Sequence, residues 1–185
     1  LAAIRALAPD LVVANMEENR ELDVRRLREA GVAVWVTRIE TVDEAQSSMG
    51  RLFAEALEMA EPDWLIEARR LWSTPADTRA RVAVPIWRDP WMVVGSLNYT
   101  TDLLAGCGLA NVFGSATDRY PTVSVEEIEY AAAEVVLLPD EPYAFTEDDG
   151  PESFTTPTQL VSGRLLTWYG PAMVEAYAEL TGWAG

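Results

Sequence analysis

The sequence contains no histidine and no lysine, and its 14 basic residues are all arginine. Without imidazole, catalytic triads that need a histidine base are excluded, and one cysteine leaves too few soft ligands for a zinc or copper centre. The lone Cys107 cannot close an intramolecular disulfide, so the redox compartment stays open. No apolar run approaches the roughly 20 residues of a membrane-spanning helix. No signal peptide is legible, but the opening LAAIRALAPDLVVAN reads as the middle of a helix, and an upstream part is expected. Positive charge is scarce throughout: 30 acidic residues against 14 arginines give a net charge of −16. Such a balance argues against nucleic acid and against an anionic membrane surface as partners, since both require a basic face.

What is present suits a globular α/β chain. With 185 residues, 49% of them apolar, there is material for one sizeable domain or two small lobes. LVVAN (11–15) and VAVWVTRI (32–39) read as buried strands, and RELDVRRLREAG (20–31) between them as a helix closed at Gly31. That is a βαβ unit with parallel strands and a right-handed crossover. TVDEAQSSMGRLFAEALEMAE (41–61) is helical, with Thr41 as N-cap and Glu44 at the capping-box position; Pro62 then opens a second helix over 63–72. Beyond it, RVAVPIW (81–87), WMVVG (91–95), EVVLLPD (134–140) and LVSGRLLTW (160–168) read as strands. YTTDLLAGCG (99–108), VSVEEIEYAAA (123–133) and PAMVEAYAELTG (171–182) read as helices. The fold class is therefore α/β, with two lobes carrying parallel-type sheets and a helical backbone bridging them.

In open α/β sheets ligands bind beyond the carboxyl ends of the strands. Those ends carry Asn15, Glu17, Glu18 and Asn19; Arg38; Trp87, Arg88 and Trp91; Asp140, Glu141 and Tyr143; and Trp168 with Tyr169. Each group has two readings. Trp87 and Trp91 either fill the sheet edge or form a rigid aromatic platform around Pro90 for a bulky, partly apolar ligand. Arg88 pairs with Asp89 or meets an anionic ligand group. Glu17, Glu18 and Asn19 cap and solvate a helix start, or offer oxygen atoms to a polar ligand or cation; Asp140 and Glu141 divide in the same way. A carboxylate pair from opposite lobes, Glu17 and Asp140, would suit acid–base chemistry in an α/β enzyme acting on a small polar substrate.

Taken in order, APDLVVAN, VAVWVT, VPIWRDPWMVVG, NYTTDLLAGCGLANVF, RYPTVSVEEI, VVLLPDEPYAF and LLTWYGP resemble the class III periplasmic binding proteins. These are the vitamin B12 and iron–siderophore receptors of ABC importers, also called helical-backbone metal receptors. The resemblance covers nearly the whole chain. It implies residues 1–40 as the rest of a first lobe, 41–78 as the helical bridge and 79–185 as the second lobe, with the family's first strand lacking a counterpart. It implies a non-enzymatic solute-binding protein with no catalytic residue and no cofactor of its own. The ligand would be a metal chelate (corrinoid, haem or ferric siderophore) held in the cleft by the strand-end residues named above rather than a bare metal ion. The partner would be an ABC importer permease, the protein a monomer without membrane insertion. Glu126 aligns with the family's transporter-docking carboxylate, whereas its first-lobe counterpart falls near Ala2, which has none. Two further departures are Cys107-Gly108-Leu109, in place of a Gly-Gly-Glu type turn, and a bridge that is short and interrupted at Pro62. The location would be the periplasm or, as a lipoprotein, the cell surface if a signal lies upstream. Otherwise a cytoplasmic sensor or chaperone of the same fold is the expectation.

Overall fold

The structure, a computed structural model, describes residues 1–182. After a short helix α1 (Ala2–Ala6), strand β1 (Val12–Asn15), helix α2 (Glu21–Glu29) and strand β2 (Val34–Thr37) form the expected βαβ unit. β1 and β2 pair in parallel, with Val12 opposite Val34 and Asn15 opposite Thr37. α2 buries Val24 and Leu27, one turn apart, against this sheet and stops where Gly31 takes φ +80, a conformation that only glycine adopts without strain.

The segment expected to form the bridge begins at α3 (Val42–Arg51). Thr41 caps it, its hydroxyl accepting from the Glu44 N–H at 3.1 Å, but the Glu44 carboxylate turns to the N–H of Glu40 at 2.8 Å instead of completing the box. A π-helical turn (Leu52–Ala56) ends this segment, and α4 (Asp63–Leu71) restarts behind Pro62. The bridge is not a free strut. Ala45, Met49, Leu52, Leu65 and Ala68 enter one hydrophobic core with Val82, Leu103, Leu109, Leu166 and Met173. Trp72, at the end of α4, donates its indole N–H to the Met173 carbonyl at 3.1 Å and meets Tyr177 edge-on at 5.2 Å. Each fully buried leucine in this core contributes about 1.5–3 kcal/mol of transfer free energy.

The second lobe is built on a parallel four-stranded sheet. In sequence it comprises β3 (Ala80–Ala83), the hairpin β4 (Pro85–Trp87) and β5 (Met92–Val93), α5 (Tyr99–Gly106), β6 (Leu109–Asn111), α6 (Val125–Tyr130), β7 (Val135–Pro139), β8 (Thr158–Val161), α7 (Gly163–Thr167) and α8 (Ala172–Gly182). The strand order is β6-β3-β7-β8; residues 183–185 of the expected second lobe lie outside the described residues.

Two expected strands are corrected. RVAVPIW does not run straight through: β3 ends at Ala83, and β4 leaves to pair antiparallel with β5. Pro85 cannot donate to a parallel ladder, so the chain turns out of the sheet there. LVSGRLLTW is a strand only to Val161. From Gly163 it is helical, because the Asp140 carboxylate accepts the Gly163 N–H at 2.7 Å and Gly163 packs on the Glu141 backbone. Trp168 and Tyr169 therefore follow a helix, not a strand.

Candidate functional site

The carboxyl ends of both sheets meet. At the first lobe's edge the Asn15–Asn19 loop is tied by its own side chains: Asn15 Oδ1 accepts from the Glu17 N–H at 2.7 Å, and Asn19 Oδ1 accepts from the Asn15 N–H at 2.8 Å. Helix α2 starts later, at Glu21, behind Arg20 as N-cap and with no side-chain cap bond, so Glu17, Glu18 and Asn19 do not cap it. The loop presents Asn15 Nδ2 to the Tyr169 hydroxyl of the second lobe at 2.5 Å, and the same hydroxyl lies 3.1 Å from the Thr37 Oγ1 at the end of β2. Burial raises the Tyr169 pKa and the charges of Glu17 and Glu18 raise it further, so the group is a neutral phenol at physiological pH.

Beside this contact Arg119 of the second lobe bridges two first-lobe carboxylates, pairing with Glu17 and, at 2.8 Å, with Glu40. The Tyr120 hydroxyl donates to the Glu17 carboxylate at 3.2 Å. Arg119, Tyr120 and Thr37 were not among the expected site residues. Arg119 and Tyr120 follow β6, a three-residue strand behind the left-handed Gly108 that has no legible periodicity. With the strand unseen, its end loop was unseen too.

The second lobe's edge is a line of aromatic side chains. Trp87, 44% exposed, lies edge-on to Tyr143 at 5.6 Å. Trp168, 61% exposed, donates its indole N–H to the Glu141 carboxylate at 2.7 Å. The Trp87 and Glu141 loops each turn through a cis peptide, at Asp89–Pro90 and at Glu141–Pro142. Trp91 separates from Trp87: it stacks on Phe145 at 5.8 Å and meets Phe154 edge-on at 5.1 Å. Trp91 thus packs at the sheet edge, whereas Trp87 stays exposed. Arg88 lies 5.2 Å above the Trp91 ring and pairs with Asp149 and, at 2.8 Å, with Glu152; Asp89 stands off at 3.9 Å. Of the two readings of Arg88, the Asp89 pair is therefore secondary, and Arg88 pins the 149–152 loop over the hairpin. Asp140 holds the start of α7 through its bond to Gly163. Among the described residues no three His, Cys, Asp or Glu side chains gather as a bare metal ion would require.

No family model matches the chain. Among curated proteins it is 25% identical over 143 residues to the vitamin B12-binding protein of Vibrio parahaemolyticus, which covers 74% of this chain and 52% of that protein. It is 30% identical over 135 residues to the vitamin B12-binding protein of Salmonella typhimurium, covering 69% and 50%. The chain spans about half the length of the curated relatives it matches. Among solved structures it superposes on the periplasmic vitamin B12-binding protein BtuF of Vibrio cholerae with a TM-score of 0.75, at 17% identity over 98% of this chain and 76% of that one. The periplasmic heme-binding protein BhuT, solved with two hemes, gives a TM-score of 0.76 at 21% identity over 98% and 76%. Helicobacter pylori CeuE with Ni(II) bound gives 0.79 at 17% identity over 97% and 63%.

This is the class III periplasmic binding protein fold. Within the class III fold the junction described above, with Asn15, Thr37 and Glu17 on one side and Tyr169, Arg119 and Tyr120 on the other, is where two lobes face each other. Glu126 stands on the exposed first turn of α6 and makes no hydrogen bond or ion pair among the described residues, while its neighbour Glu127 is held in a capping box with Ser124. Ala2 lies on α1, which buries none of its residues. No helix among the described residues is long and apolar enough to cross a membrane.

Proposed function

We propose that the chain is the ligand-binding part of a solute-binding protein that captures a metal chelate between its lobes and delivers it to an ABC importer. The observation that carries this reading is the aromatic edge of the second lobe. Trp87 and Trp168 leave large apolar surface in water on loops beside Tyr143 and Glu141, which follow β7. Exposed aromatics on rigid loops match a broad, flat, partly apolar ligand, because they give large contact area at little entropic cost. Glu141, Tyr143 and the Asn15–Asn19 loop supply polar groups to orient it, with Tyr169 as the seam between the lobes. The chain has no His, and among the described residues no cluster of hard ligands gathers for a bare ion; the metal would arrive inside its chelator, as in a corrinoid, haem or ferric siderophore.

Relatives named for vitamin B12 and heme binding support the chelate class, and their periplasmic setting supports export of this protein as well. Glu126, exposed and unpaired, is the residue to dock on permease arginines. The acid–base alternative draws no support from the geometry: Glu17 is held in an ion pair by Arg119, and Asp140 is used by the Gly163 N–H. Calorimetric titration of the protein with cobalamin, haemin and a ferric siderophore at micromolar concentration tests the reading. Saturable one-site binding of at least one is expected; silence with all three discards it.

A further inference from the structure

Away from the junction, the outer edge of β2 bears a concavity whose charge is opposite to that of the protein as a whole. β2 has a partner on one side only. The carbonyls of Ala33 and Thr37 accept from the N–H groups of Val12 and Met16 at 2.9 and 3.0 Å, so strand alternation turns the backbone groups of Val34 and Val36 outward. Along this edge, between β2 and α3, opens a concavity of about 470 Å³ lined by Arg28, Arg38 and Arg51 together with Trp35, Ser47 and Ser48. That volume lies within the roughly 300–1,000 Å³ of small-molecule sites.

Two of the three arginines, Arg28 and Arg38, are poorly matched by carboxylates, which is unexpected in a chain with 30 acidic residues. Arg28 has no carboxylate partner among the described residues; its one hydrogen bond goes to the Val34 carbonyl at 3.1 Å. Arg38 reaches only Glu40 at 3.5 Å, and Glu40 is already bound by Arg119 at 2.8 Å. Arg51 is anchored by Glu55 at 3.0 Å and lies 5.5 Å from the Trp35 ring centroid. The acidic residue of the wall, Glu44, directs an oxygen to the Glu40 N–H.

We propose that this concavity is a second binding site, for a small multiply charged oxyanion, a phosphate monoester or a polycarboxylate. Guanidinium groups present paired N–H donors that match the two oxygens of phosphate or carboxylate, and the Ser47 and Ser48 hydroxyls add donors at the same wall. Trp35 provides apolar surface for the body of the ligand. An added β-strand is disfavoured as occupant, because Arg28 already occupies the outward carbonyl of Val34 that strand pairing would use.

The test is calorimetric titration of the whole protein with phenyl phosphate and with citrate at low ionic strength, repeated at higher sodium chloride. One saturable site that weakens with salt is expected for at least one probe, and the probe that binds more tightly assigns the oxyanion. In Arg28→Gln/Arg38→Gln the dissociation constant should rise about tenfold or more, the loss of a charge-assisted bond, with the unfolding midpoint unchanged. Ser48→Glu, which keeps both arginines but adds a negative charge to the wall, should abolish binding. Silence with both probes, or equal affinity in the arginine double variant, overturns the proposal. Titration of that double variant with cobalamin or haemin reads the inter-lobe site separately, so failure of one site is distinguishable from failure of the other.

Discussion

Tyr169 and Asn15 lie 154 positions apart in sequence and share a 2.5 Å hydrogen bond between the second lobe and the first. With Thr37 at 3.1 Å on the other side, one phenol hydroxyl joins two strand ends of the first lobe to the last loop of the second. The lobes thus meet through a neutral polar contact flanked by an ionic one, Arg119 with Glu17 and Glu40.

Removing that hydroxyl tests the seam. Tyr169→Phe keeps the ring and its edge contact with Tyr99 but strands the Asn15 amide, at an expected cost of about 1 kcal/mol in urea unfolding. Asn15→Ala should cost a similar amount. The double variant should cost less than the sum by at least about 0.5 kcal/mol, and strict additivity would show that the two groups do not interact.

The two tryptophans of PIWRDPWMVVG should respond oppositely. Trp91→Ala removes a ring enclosed by Phe145 and Phe154 and should lower stability by about 3 kcal/mol. Trp87→Ala removes a ring that is 44% exposed and should leave the unfolding midpoint nearly unchanged while weakening chelate binding. Equal stability losses, measured by thermal and urea unfolding, would refute the division.

Glu129 predicts an acid-range effect. Its carboxylate accepts two hydroxyl and two backbone bonds from Thr155 and Thr156, with the Thr156 bonds foremost, and its pKa falls to about 2 from an ordinary 4.5. A depressed carboxylate pKa gives stability that is complete above the unfolded value and is lost as pH falls toward the folded one. The protein should therefore lose this contribution between pH 4.5 and about 2. In Thr155→Ala/Thr156→Ala the Glu129 carboxyl, followed by NMR, should titrate close to its ordinary value.

The shared core makes the bridge and second lobe one cooperative unit. Leu65→Ala, at a fully buried site on α4, should destabilise by about 2–5 kcal/mol. Fluorescence and circular dichroism should then report a single unfolding transition at a lower midpoint. A separate early transition of the bridge would contradict a common core.

Much of the architecture was legible because short apolar runs and helix caps are local signals. LVVAN and VAVWVT are short β-branched runs bounded by turn residues, which favours strands, and Thr41, Pro62 and Gly31 mark helix ends by chemistry that acts within a few residues. The misread elements share a non-local cause. LLTW is apolar enough for a strand, yet it is helical because Asp140, some twenty positions earlier, accepts the Gly163 N–H. β6 was missed because three residues carry no period. Proximity along the chain offers Arg88 only Asp89 as a protein partner, whereas the fold brings Asp149 and Glu152 closer.

By itself the sequence determined the two α/β blocks, the helical link between them, the acidic surface and the absence of histidine chemistry, since each depends on composition or on contacts a few residues long. Only the tertiary structure decided which side chains face one another across the lobes. Asn15, Thr37 and Tyr169, or Arg119, Glu17 and Glu40, come together because the ends of β1 and β2 face the loops that follow α7 and β6. It also decided which tryptophan is exposed and which is filler: Trp91 is enclosed by Phe145 and Phe154 from a loop more than fifty positions away, and Trp87, four residues earlier, keeps its face in water.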